Sequence, residues 1–484
     1  MKILMVSSEV YPYAKVGGLA DVVPNLSREL YRQGHEVIIL MPRYYQIDRL
    51  LLERHPAPLS VHLGEEEYWT GLYHQTMTDS HVEVYFLEHE QLYGREGIYG
   101  PPSGGDFSDN PIRFALLSKA AFQVCRLLGW YPDIIHSHDW PSALTATYLA
   151  RQEHSGEFLH TRSVFTIHNI GYQGRFPEEL IHGLGFGTEE AEHLGLIFQG
   201  ELNFLRSALV NAHKISTVSP HYAQEILSPG AGFGMEDILN SRGKDVRGIL
   251  NGMDYDTWNP AADQNLPYPY DVAELANKAL NKNFVQQEAG MEISARPPLV
   301  GMVSRLVDQK GFDILLGPDG SNLDRICREL DLQLIILGTG DPAIEKSLRQ
   351  AGDRYNNLRV YIRYNEKMSH IIQGASDFFL MPSRYEPCGL TQMYALRYGS
   401  LPVVSRTGGL ADTVVDIDEN PSEGTGIILE SPMSEDALYG ALKRSVQLWQ
   451  QQRSIYEAAQ RRGMHLRFDW KHSADAYGEM YAQD

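Results

Sequence analysis

The sequence is poor in cysteine and has no long apolar run. Its three cysteines, Cys125, Cys327 and Cys388, are an odd number spread along 484 residues. This excludes a disulfide framework and a paired C-x-x-C metal site, and it favours a reducing compartment. The longest apolar runs, such as 334–337 and 378–381, are far below the roughly 18 residues that a membrane-spanning helix needs. We therefore expect no contact with a membrane.

Positive charge is also in short supply. The chain has 42 Lys and Arg residues against 62 Asp and Glu residues, a formal net charge of −20. Such an acidic protein is repelled by phosphate backbones, so nucleic acid is excluded as the main partner. The first ten residues turn polar after six positions, which predicts neither a secretory nor a transit peptide. We expect a cytoplasmic protein.

Two nucleotide-binding fingerprints are missing, namely G-x-G-x-x-G and the Walker A motif, which removes the main support for an NAD, FAD or P-loop enzyme. What the chain does contain is short apolar runs alternating with helical segments, the pattern of βαβ units around a parallel sheet. Helices are predicted at 20–33, 112–128 and 142–152, with Asp109 as a capping residue for the second. Strands are predicted at 3–7, 36–41, 82–87, 134–137, 164–168, 214–219, 299–304, 333–337, 358–362, 377–381 and 402–405.

The alternation is interrupted in the middle of the chain. It stops near residues 251–252, and the stretch 259–271 is dense in Pro, Asn and Asp before the pattern restarts. A length of 484 residues is enough for two or three domains with their own cores. We interpret the interruption as the passage from one α/β domain to another.

A five-residue sequence, GGLAD, occurs at 17–21 and again at 408–412, each time between a predicted strand and a predicted helix. The repeat could be coincidence in a glycine-rich chain. The alternative is that two Rossmann-like domains each use a Gly-Gly turn into a helix N-terminus, where backbone N–H groups bind anions.

Three cationic residues lie in predicted strand-to-helix loops. Lys15 precedes Gly17 and Gly18, and Arg305 and Lys310 follow the first strand of the second half. Parallel sheets bind ligands at this end of their strands, and a lysine with an arginine can hold a diphosphate. The alternative is that all three are solvated surface charges.

A further loop, 383–391, carries Glu386 and Cys388. A carboxylate beside a phosphate site is electrostatically unfavourable unless it faces an electropositive group, such as an oxocarbenium-like sugar carbon. The alternative for Glu386 is a structural helix cap. With no histidine near it in sequence to act as a general base, Cys388 is favoured as a packed or site-lining thiol over a nucleophile.

The sequence HSHDW places His136 and His138 on one face of a strand and Asp139 in the following loop. A metal site is one interpretation. His168 and Asn169 follow the next strand, where a neutral imidazole and an amide are suitable hydrogen-bond partners for sugar hydroxyls.

Taken together, these segments resemble the bacterial glycogen synthase and starch synthase family, glycosyltransferase family 5, whose members are retaining glucosyltransferases. The resemblance runs through most of the chain in family order. It is carried by KVGGLADV at 15–22, DNPIRF at 109–114, HSHDW at 136–140, FTIHNIGYQG at 165–174, ILNGMDYDTWNP at 249–260, VSRLVDQKG at 303–311, SRYEPCGLTQ at 383–392 and RTGGLADTV at 406–414.

The resemblance implies a GT-B architecture, in which two Rossmann-like α/β domains face each other across a deep cleft. The acceptor-side domain would be 1–255, joined by a C-terminal helix at 470–484, and the donor-side domain would be 256–469. It implies ADP-glucose as donor and the non-reducing end of an α-1,4-glucan, as in glycogen, starch or a maltooligosaccharide, as acceptor. Association with glucan particles in a prokaryotic cytoplasm would follow.

The resemblance also assigns roles residue by residue. Glu386, His168, Arg305 and Lys310 would be catalytic, with Glu386 at the anomeric centre and the two cations on the leaving diphosphate. The donor would be bound by Lys15, Gly17, Gly18, Tyr364 stacking on adenine, Cys388, Gly389, Leu390 and Thr391. The acceptor would be bound by Asp21, Asp139, Trp140 and Asn169.

One position departs from many retaining enzymes of this architecture. They carry a second glutamate eight residues after the first, where this chain has Tyr394. A single candidate carboxylate predicts a front-face mechanism. No metal or other cofactor is expected, because Lys15, Arg305 and Lys310 supply the positive charge. The alternatives are a non-catalytic glucan-binding protein and a related transferase with a small acceptor.

Overall fold

The computed structural model describes residues 1–102 and 104–483. Ser103, in the predicted domain 1–255, and Asp484, at the end of the predicted segment 470–484, lie outside the described residues. The chain forms two compact units. The first comprises Met1–Gly252 together with the segment from Trp470 onward, and the second comprises Met253–Asp469.

The first unit is built on a large sheet whose central strands are parallel. The strand order is β13-β12-β8-β7-β1-β2-β6-β5-β3, with β4 paired to β5, and β9 to β11 form a separate small sheet. The strands are β1 (Lys2–Val6), β2 (Glu36–Pro42), β3 (Glu53–Arg54), β4 (Leu59–Leu63), β5 (Glu66–Thr76), β6 (Glu83–Glu88), β7 (Ile134–His138), β8 (Arg162–Ile167), β9 (Arg175–Pro177), β10 (Ile197–Phe198), β11 (Glu201–Asn203), β12 (Lys214–Thr217) and β13 (Val246–Gly248).

All six strands predicted in this half are present within two residues of their predicted ends. Their apolar side chains are buried on both faces, which is why short continuous apolar runs identified them. At one edge the sheet departs from the parallel pattern, because β3, β4 and β5 pair antiparallel. The β4–β5 hairpin carries charged and polar residues on its exposed face, so its sequence lacks the apolar run that marked the other strands.

Helices of the first unit cover the sheet. They are α1 (Leu19–Arg32), α2 (Glu90–Tyr93), α3 (Asn110–Leu128), α4 (Leu144–Tyr148), α5 (Thr188–His193), α6 (Phe204–Asn211), α7 (Pro220–Glu225) and α8 (Glu236–Ser241). The helix predicted at 142–152 is instead a 3₁₀ turn, the short α4 and a π-helical turn at Leu149–Glu153. Asp109 does not cap α3 with its side chain, because its carboxylate pairs with Arg95.

The second unit has one sheet in which all neighbours are parallel, in the order β16-β15-β14-β17-β18-β19. Five of its strands match the predictions, whereas β19 has only two residues and was missed. The strands are β14 (Leu299–Val303), β15 (Gln333–Gly338), β16 (Leu358–Ile362), β17 (Phe378–Met381), β18 (Leu401–Val404) and β19 (Ile427–Ile428).

Helices pack on both faces of this sheet, which gives two apolar clusters, one around Phe312 and Leu380 and one around Ile335 and Phe379. The predicted class, two α/β domains with parallel sheets, is confirmed. The helices are α9 (Ala276–Glu288), α10 (Phe312–Leu316), α11 (Ser321–Glu329), α12 (Pro342–Arg354), α13 (Glu366–Ala375), α14 (Thr391–Arg397), α15 (Gly408–Thr413), α16 (Glu435–Gln451) and α17 (Arg453–His465).

The last helix, α18 (Trp470–Ala482), returns to the first unit and packs against α1. The Tyr481 hydroxyl group and Nδ1 of His136 are joined by a hydrogen bond of 2.7 Å. Arg247 forms an ion pair with Glu479. Among the described residues, no helix is both long enough and apolar enough to cross a membrane.

Candidate functional site

Apart from Tyr364, the candidate residues of the second unit come from the segments that follow β14 and β17, at the end at which parallel sheets bind ligands. Nζ of Lys310 lies 2.5 Å from Oε2 of Glu386, and the Ser383 hydroxyl donates to the same oxygen at 3.0 Å. The glutamate side chain is 8% exposed. Glu386 is therefore held by a cation and a hydroxyl group, and it does not act as the helix cap that was its structural alternative.

Two close backbone approaches hold these loops together. Gly311, at φ 77°, faces the carbonyl oxygen of Pro382, and any Cβ at this position would overlap that oxygen. The backbone N–H of Arg384 donates to the Gln309 carbonyl at 2.9 Å. The loop after β14 is thereby fixed against the loop after β17, which accounts for the short distance between Lys310 and Glu386.

Arg305 and Tyr364 are more exposed than the other candidates of this unit. The Arg305 guanidinium lies 3.4 Å from the Gln309 amide oxygen. Tyr364 follows β16, and 77% of its surface is exposed. The structure brings Lys310 and Glu386 into direct contact and leaves these two side chains available to solvent.

The residues Cys388 to Thr391 form the turn into α14. Gly389 has φ 69°, and the Gln392 amide donates to the carbonyl oxygens of Cys388 at 3.0 Å and Gly389 at 2.9 Å. Leu390 precedes the helix without a side-chain cap. Cys388 is buried, and burial of this kind fits a thiol that packs the turn.

The second GGLAD copy packs against this same turn. The N–H of Gly409 donates to the Glu386 carbonyl at 3.1 Å, and a Cβ on Gly409 would overlap the carbonyl oxygen of Cys388. A Cβ on Gly408 would likewise overlap the carbonyl oxygen of Glu386. This Gly-Gly pair supports the Glu386 loop and begins α15, and the anion-binding role of the second copy stays a prediction.

Tyr394 replaces the second glutamate of many related enzymes, and its ring is committed to packing. It stacks on Trp258 with centroids 3.8 Å apart, and the other face of Trp258 stacks on His370 at 3.9 Å. His370 in turn pairs with the buried carboxylate of Asp263 at 2.8 Å. The position is thus an aromatic core position and not a second acidic one.

In the first unit, the loop after β1 contains Lys15, Gly17 and Gly18. Lys15 pairs with Asp21 at 2.8 Å and lies over the ring of Tyr11 at 5.3 Å. A Cβ on Gly17 would meet no atom within 4 Å, so this glycine faces open space. Gly18 is the residue before α1. The first GGLAD copy thus has room beside it, unlike the second.

Glu9 is a residue of this loop that the sequence analysis missed. It is 4% exposed, and its carboxylate accepts from the N–H groups of Val16 at 2.5 Å and Gly17 at 2.9 Å and from the Tyr99 hydroxyl at 2.6 Å. A glutamate directly after the first strand was the available signal. Its hydrogen-bond partners could not be predicted from the sequence, because one of them, Tyr99, lies 90 positions away.

Asp139, His168 and Asn169 are brought together by the parallel pairing of β7 with β8. Oδ1 of Asp139 accepts from the backbone N–H of His168 at 2.7 Å and from that of Asn169 at 3.3 Å. Asp139 has φ 55°, a conformation uncommon outside glycine. Removal from water raises the pKa of Asp139 to about 7, although these two hydrogen bonds lower it.

The histidines beside them form a continuous cluster. Nδ1 of His138 lies 3.0 Å from Nε2 of His168, and the rings of His136 and His138 are 4.1 Å apart. Burial lowers the pKa of His168 and of His136 to about 3, and it lowers that of His138 well below its usual value. All three are therefore neutral near pH 7, which suits hydrogen bonding and not charge neutralisation.

Trp140, assigned to acceptor binding, is packed among other aromatic side chains. Its ring meets Phe114 edge to face at 4.9 Å, and Phe176 and Tyr99 lie near it. Within the residues that the structure describes, no group of three or more His, Cys, Asp or Glu side chains is arranged to hold a metal ion. The expectation of no metal cofactor stays a prediction.

Comparison with protein families gives two matches along the chain. Residues 2–241 match the model of the starch synthase catalytic domain, and residues 286–462 match that of the glycosyl transferases group 1. The two matches fall on the two units in turn. They also agree with the order of the sequence motifs on which the resemblance rested.

Whole-chain comparisons agree with these matches. The chain is 46% identical to a glycogen synthase of Treponema denticola, over 100% of this chain and 98% of that one, and 41% identical to glycogen synthase 2 of Geobacter metallireducens, over 99% and 98%.

Among solved structures, the catalytic domain of starch synthase IV from Arabidopsis thaliana, bound to ADP and acarbose, matches with a TM-score of 0.89 and 32% identity, covering 99% and 98% of the two chains. A sucrose-phosphate synthase from Thermosynechococcus elongatus, 19% identical with a TM-score of 0.60, shares the fold.

Proposed function

Because the chain belongs to the bacterial glycogen synthase and starch synthase family, and so elongates a glucan by glucosyl transfer, we propose that its donor is ADP-glucose and its acceptor the non-reducing end of an α-1,4-glucan. The observation that carries this proposal is the buried contact between Lys310 and Glu386 at the end of a parallel sheet. A cation for a leaving phosphate and a carboxylate for a positive sugar carbon are the two groups that this reaction needs.

The second unit binds the donor in this proposal. Lys310 and Arg305 neutralise the diphosphate, the first as a point charge and the second as a planar fork. The backbone of Gly389, Leu390 and Thr391 meets the distal phosphate and the ribose. The exposed ring of Tyr364 stacks on adenine. The solved relative bound to ADP supports a nucleotide in this family.

The first unit binds the glucosyl group and the acceptor in this proposal. The neutral imidazole of His168 hydrogen-bonds the transferred glucose, while Asp21, Asp139 and Asn169 line the acceptor hydroxyls. Lys15 supplies further positive charge, and Gly17, with open space beside it, allows a ligand close to the backbone. The relative that binds acarbose supports an oligosaccharide ligand.

We propose that glucose is transferred with retention by a front-face reaction. The bond between the anomeric carbon and the phosphate oxygen breaks as the 4-hydroxyl oxygen of the acceptor bonds to the same face of that carbon. The hydroxyl proton passes to the departing phosphate oxygen, so ADP leaves and the glucan gains one residue. Glu386 stabilises the positive carbon, and Tyr394, stacked on Trp258, offers no second carboxylate for a double displacement.

In this proposal no metal takes part, since Lys310, Arg305 and Lys15 bring the charge that a divalent ion would bring. We also propose a cytoplasmic location. In the described residues the three cysteines are buried thiols and not disulfides, which fits a reducing compartment.

The experiment is transfer of labelled glucose from ADP-glucose and from UDP-glucose, in parallel, onto glycogen and onto maltotriose, in EDTA. Elongated glucan from the ADP donor, with the label released as glucose by an α-1,4-specific exohydrolase, is the expected result. Glu386→Gln serves as the inactive control of equal size. Elongation from UDP-glucose alone would overturn the donor, and strict dependence on added Mg²⁺ would overturn metal independence.

Two other outcomes would redirect the assignment. A labelled disaccharide in place of a lengthened glucan would indicate a transferase with a small acceptor. ADP binding without turnover from either donor would indicate a glucan-binding protein that has lost catalysis. Chromatography of the products separates these outcomes.

A further inference from the structure

We propose that His138 is a positioning residue for His168, and that it fixes the tautomer with which His168 meets the transferred glucosyl group. The inference rests on the proposed function, because it concerns the same site. It begins with a short contact, since Nδ1 of His138 lies 3.0 Å from Nε2 of His168. One of the two nitrogens must carry the proton for this hydrogen bond to form.

The surroundings leave each ring neutral. Burial lowers the pKa of both imidazoles far below 6.5, and the neighbouring histidines lower that of His138 further. Each ring therefore has one N–H donor and one acceptor nitrogen. Two arrangements satisfy the contact, with the proton either on Nδ1 of His138 or on Nε2 of His168.

The surroundings of the other ring nitrogen of His138, Nε2, distinguish the two arrangements. Its Nε2 is buried and has no partner among the described residues. A proton on that nitrogen would be a buried donor without an acceptor, and orphaned buried N–H groups are the rarer defect in folded proteins. The proton of His138 is therefore on Nδ1, and Nε2 of His168 accepts it. His168 then carries its own proton on Nδ1.

The backbone around both rings is fixed by neighbouring residues. The N–H of His138 donates to the Ser142 hydroxyl at 2.6 Å, and that hydroxyl donates to the His138 carbonyl at 2.8 Å. Asp139, the next residue, accepts from the N–H of His168. The consecutive residues His138 and Asp139 thus hold the ring and the main chain of His168, respectively. His138 of the HSHDW sequence thereby supports the residue that directly follows β8.

The consequence for the reaction is a defined donor. With Nε2 occupied by His138, Nδ1–H is the group that His168 offers to a sugar hydroxyl oxygen. Loss of the His138 proton would let the His168 ring rotate and adopt the other tautomer. Turnover would then fall more than substrate binding, because orientation matters most in the transition state.

The test compares two replacements of His138. His138→Phe keeps an aromatic ring but removes the donor, and we expect kcat to fall about 10- to 100-fold, as for other supporting partners of site residues, with a smaller change in the donor KM. His138→Asn places an amide near the Nδ1 position and should recover part of kcat. Tyr481→Phe is the matched control, since it removes a hydroxyl group from the same histidine cluster without touching His168.

The second readout is the ¹⁵N NMR spectrum of ring-labelled histidine, with the His168 signals identified by their loss in His168→Gln. We expect a protonated Nδ1 and an unprotonated Nε2 for His168 in the wild-type protein, and a mixture or the reverse in His138→Phe. A merely structural role would lower the unfolding temperature and leave the tautomer unchanged.

Nε2-protonated His168 in the wild-type protein, or full kcat in His138→Phe, would overturn the inference. Failure of the proposed function gives a different result, because wild-type protein would then transfer no glucose while the tautomer remained measurable.

Discussion

Lys310 and Glu386 form a direct ion pair in the second unit, with Nζ 2.5 Å from Oε2 and side chains 17% and 8% exposed. Because this ion pair is largely buried, removal of either partner leaves the remaining charge desolvated and destabilises the loop that carries it. The two residues nevertheless have different tasks in the proposed reaction. Their single variants should therefore differ in which step they impair.

Glu386→Ala should keep ADP binding while kcat falls by about 10²- to 10³-fold, the usual cost of losing one electrostatic stabiliser of a transition state. Lys310→Ala should weaken both, with the dissociation constant of ADP rising about 10-fold or more, because a charge-assisted hydrogen bond contributes about 1.5–3 kcal/mol. Calorimetric ADP titration and initial-rate assays of both variants measure these effects.

The control for these variants is Lys471→Ala, which removes an exposed lysine paired with Asp475 at 2.7 Å. Surface pairs of this kind contribute little, so neither ADP binding nor turnover should change. Near-normal turnover in Glu386→Ala would contradict the role of this carboxylate.

Gly409 should be intolerant of a side chain for a reason of packing. In Gly409→Ala the new Cβ overlaps the carbonyl oxygen of Cys388, so the Glu386 loop must move. We expect destabilisation by about 1–3 kcal/mol, as for overpacked sites, and loss of activity. Gly440→Ala, in the middle of α16 with open space around it, should stabilise by about 0.5–1 kcal/mol. Urea unfolding of the two variants makes the comparison, and equal stabilities would refute it.

The part of this molecule that the sequence predicts well is the framework of buried parallel strands. Strands such as β1 and β17 are short runs that are apolar on both faces, and such runs predict buried parallel strands. The β4–β5 hairpin escaped because one of its faces is solvated and charged. Its existence depends on pairing with β6, which a local pattern does not encode.

The residues of the candidate site also form two groups, those that a local sequence pattern predicts and those that only the fold brings together. The sequence predicts Lys310 and Glu386 in loops at strand ends, and the structure has these two residues in contact, because the topology of a parallel sheet brings such loops to one edge. The contacts of Glu9 with Tyr99, and of His138 with His168, join residues 90 and 30 positions apart. Such contacts follow from strand register and loop packing. No local motif in the sequence states them.

Tyr364 should contribute to donor binding and little to folding. Its ring is 77% exposed, so Tyr364→Ala should leave the unfolding temperature within the range of ordinary surface substitutions. The donor KM should rise about 10-fold, since stacking of a base on an aromatic ring contributes about 1–3 kcal/mol. Tyr364→Phe keeps the stacking face and should behave as the wild-type protein. An unchanged KM in the alanine variant would remove Tyr364 from the adenine site.

Asp139 and the histidines give opposite dependences of stability on pH. Burial lowers the pKa of His168 to about 3, so between about pH 6.5 and pH 3 the unfolded chain binds a proton that the folded chain does not. This contribution to stability is lost as pH falls through that window. The pKa of Asp139 is raised to about 7, so the folded chain holds its proton more tightly. Its contribution is lost as pH rises from about 4 to about 7.

Asp139→Asn isolates the second effect, because the amide oxygen can still accept from the N–H groups of His168 and Asn169 but no longer titrates. Relative to the wild-type protein, the variant should become more stable as pH rises from about 4 to about 7. A pKa displaced by about three units corresponds to at most about 4 kcal/mol. Urea unfolding of both proteins at intervals between pH 4.5 and pH 8 measures the difference. Parallel stability curves would mean that the Asp139 carboxyl group is ionised throughout this range.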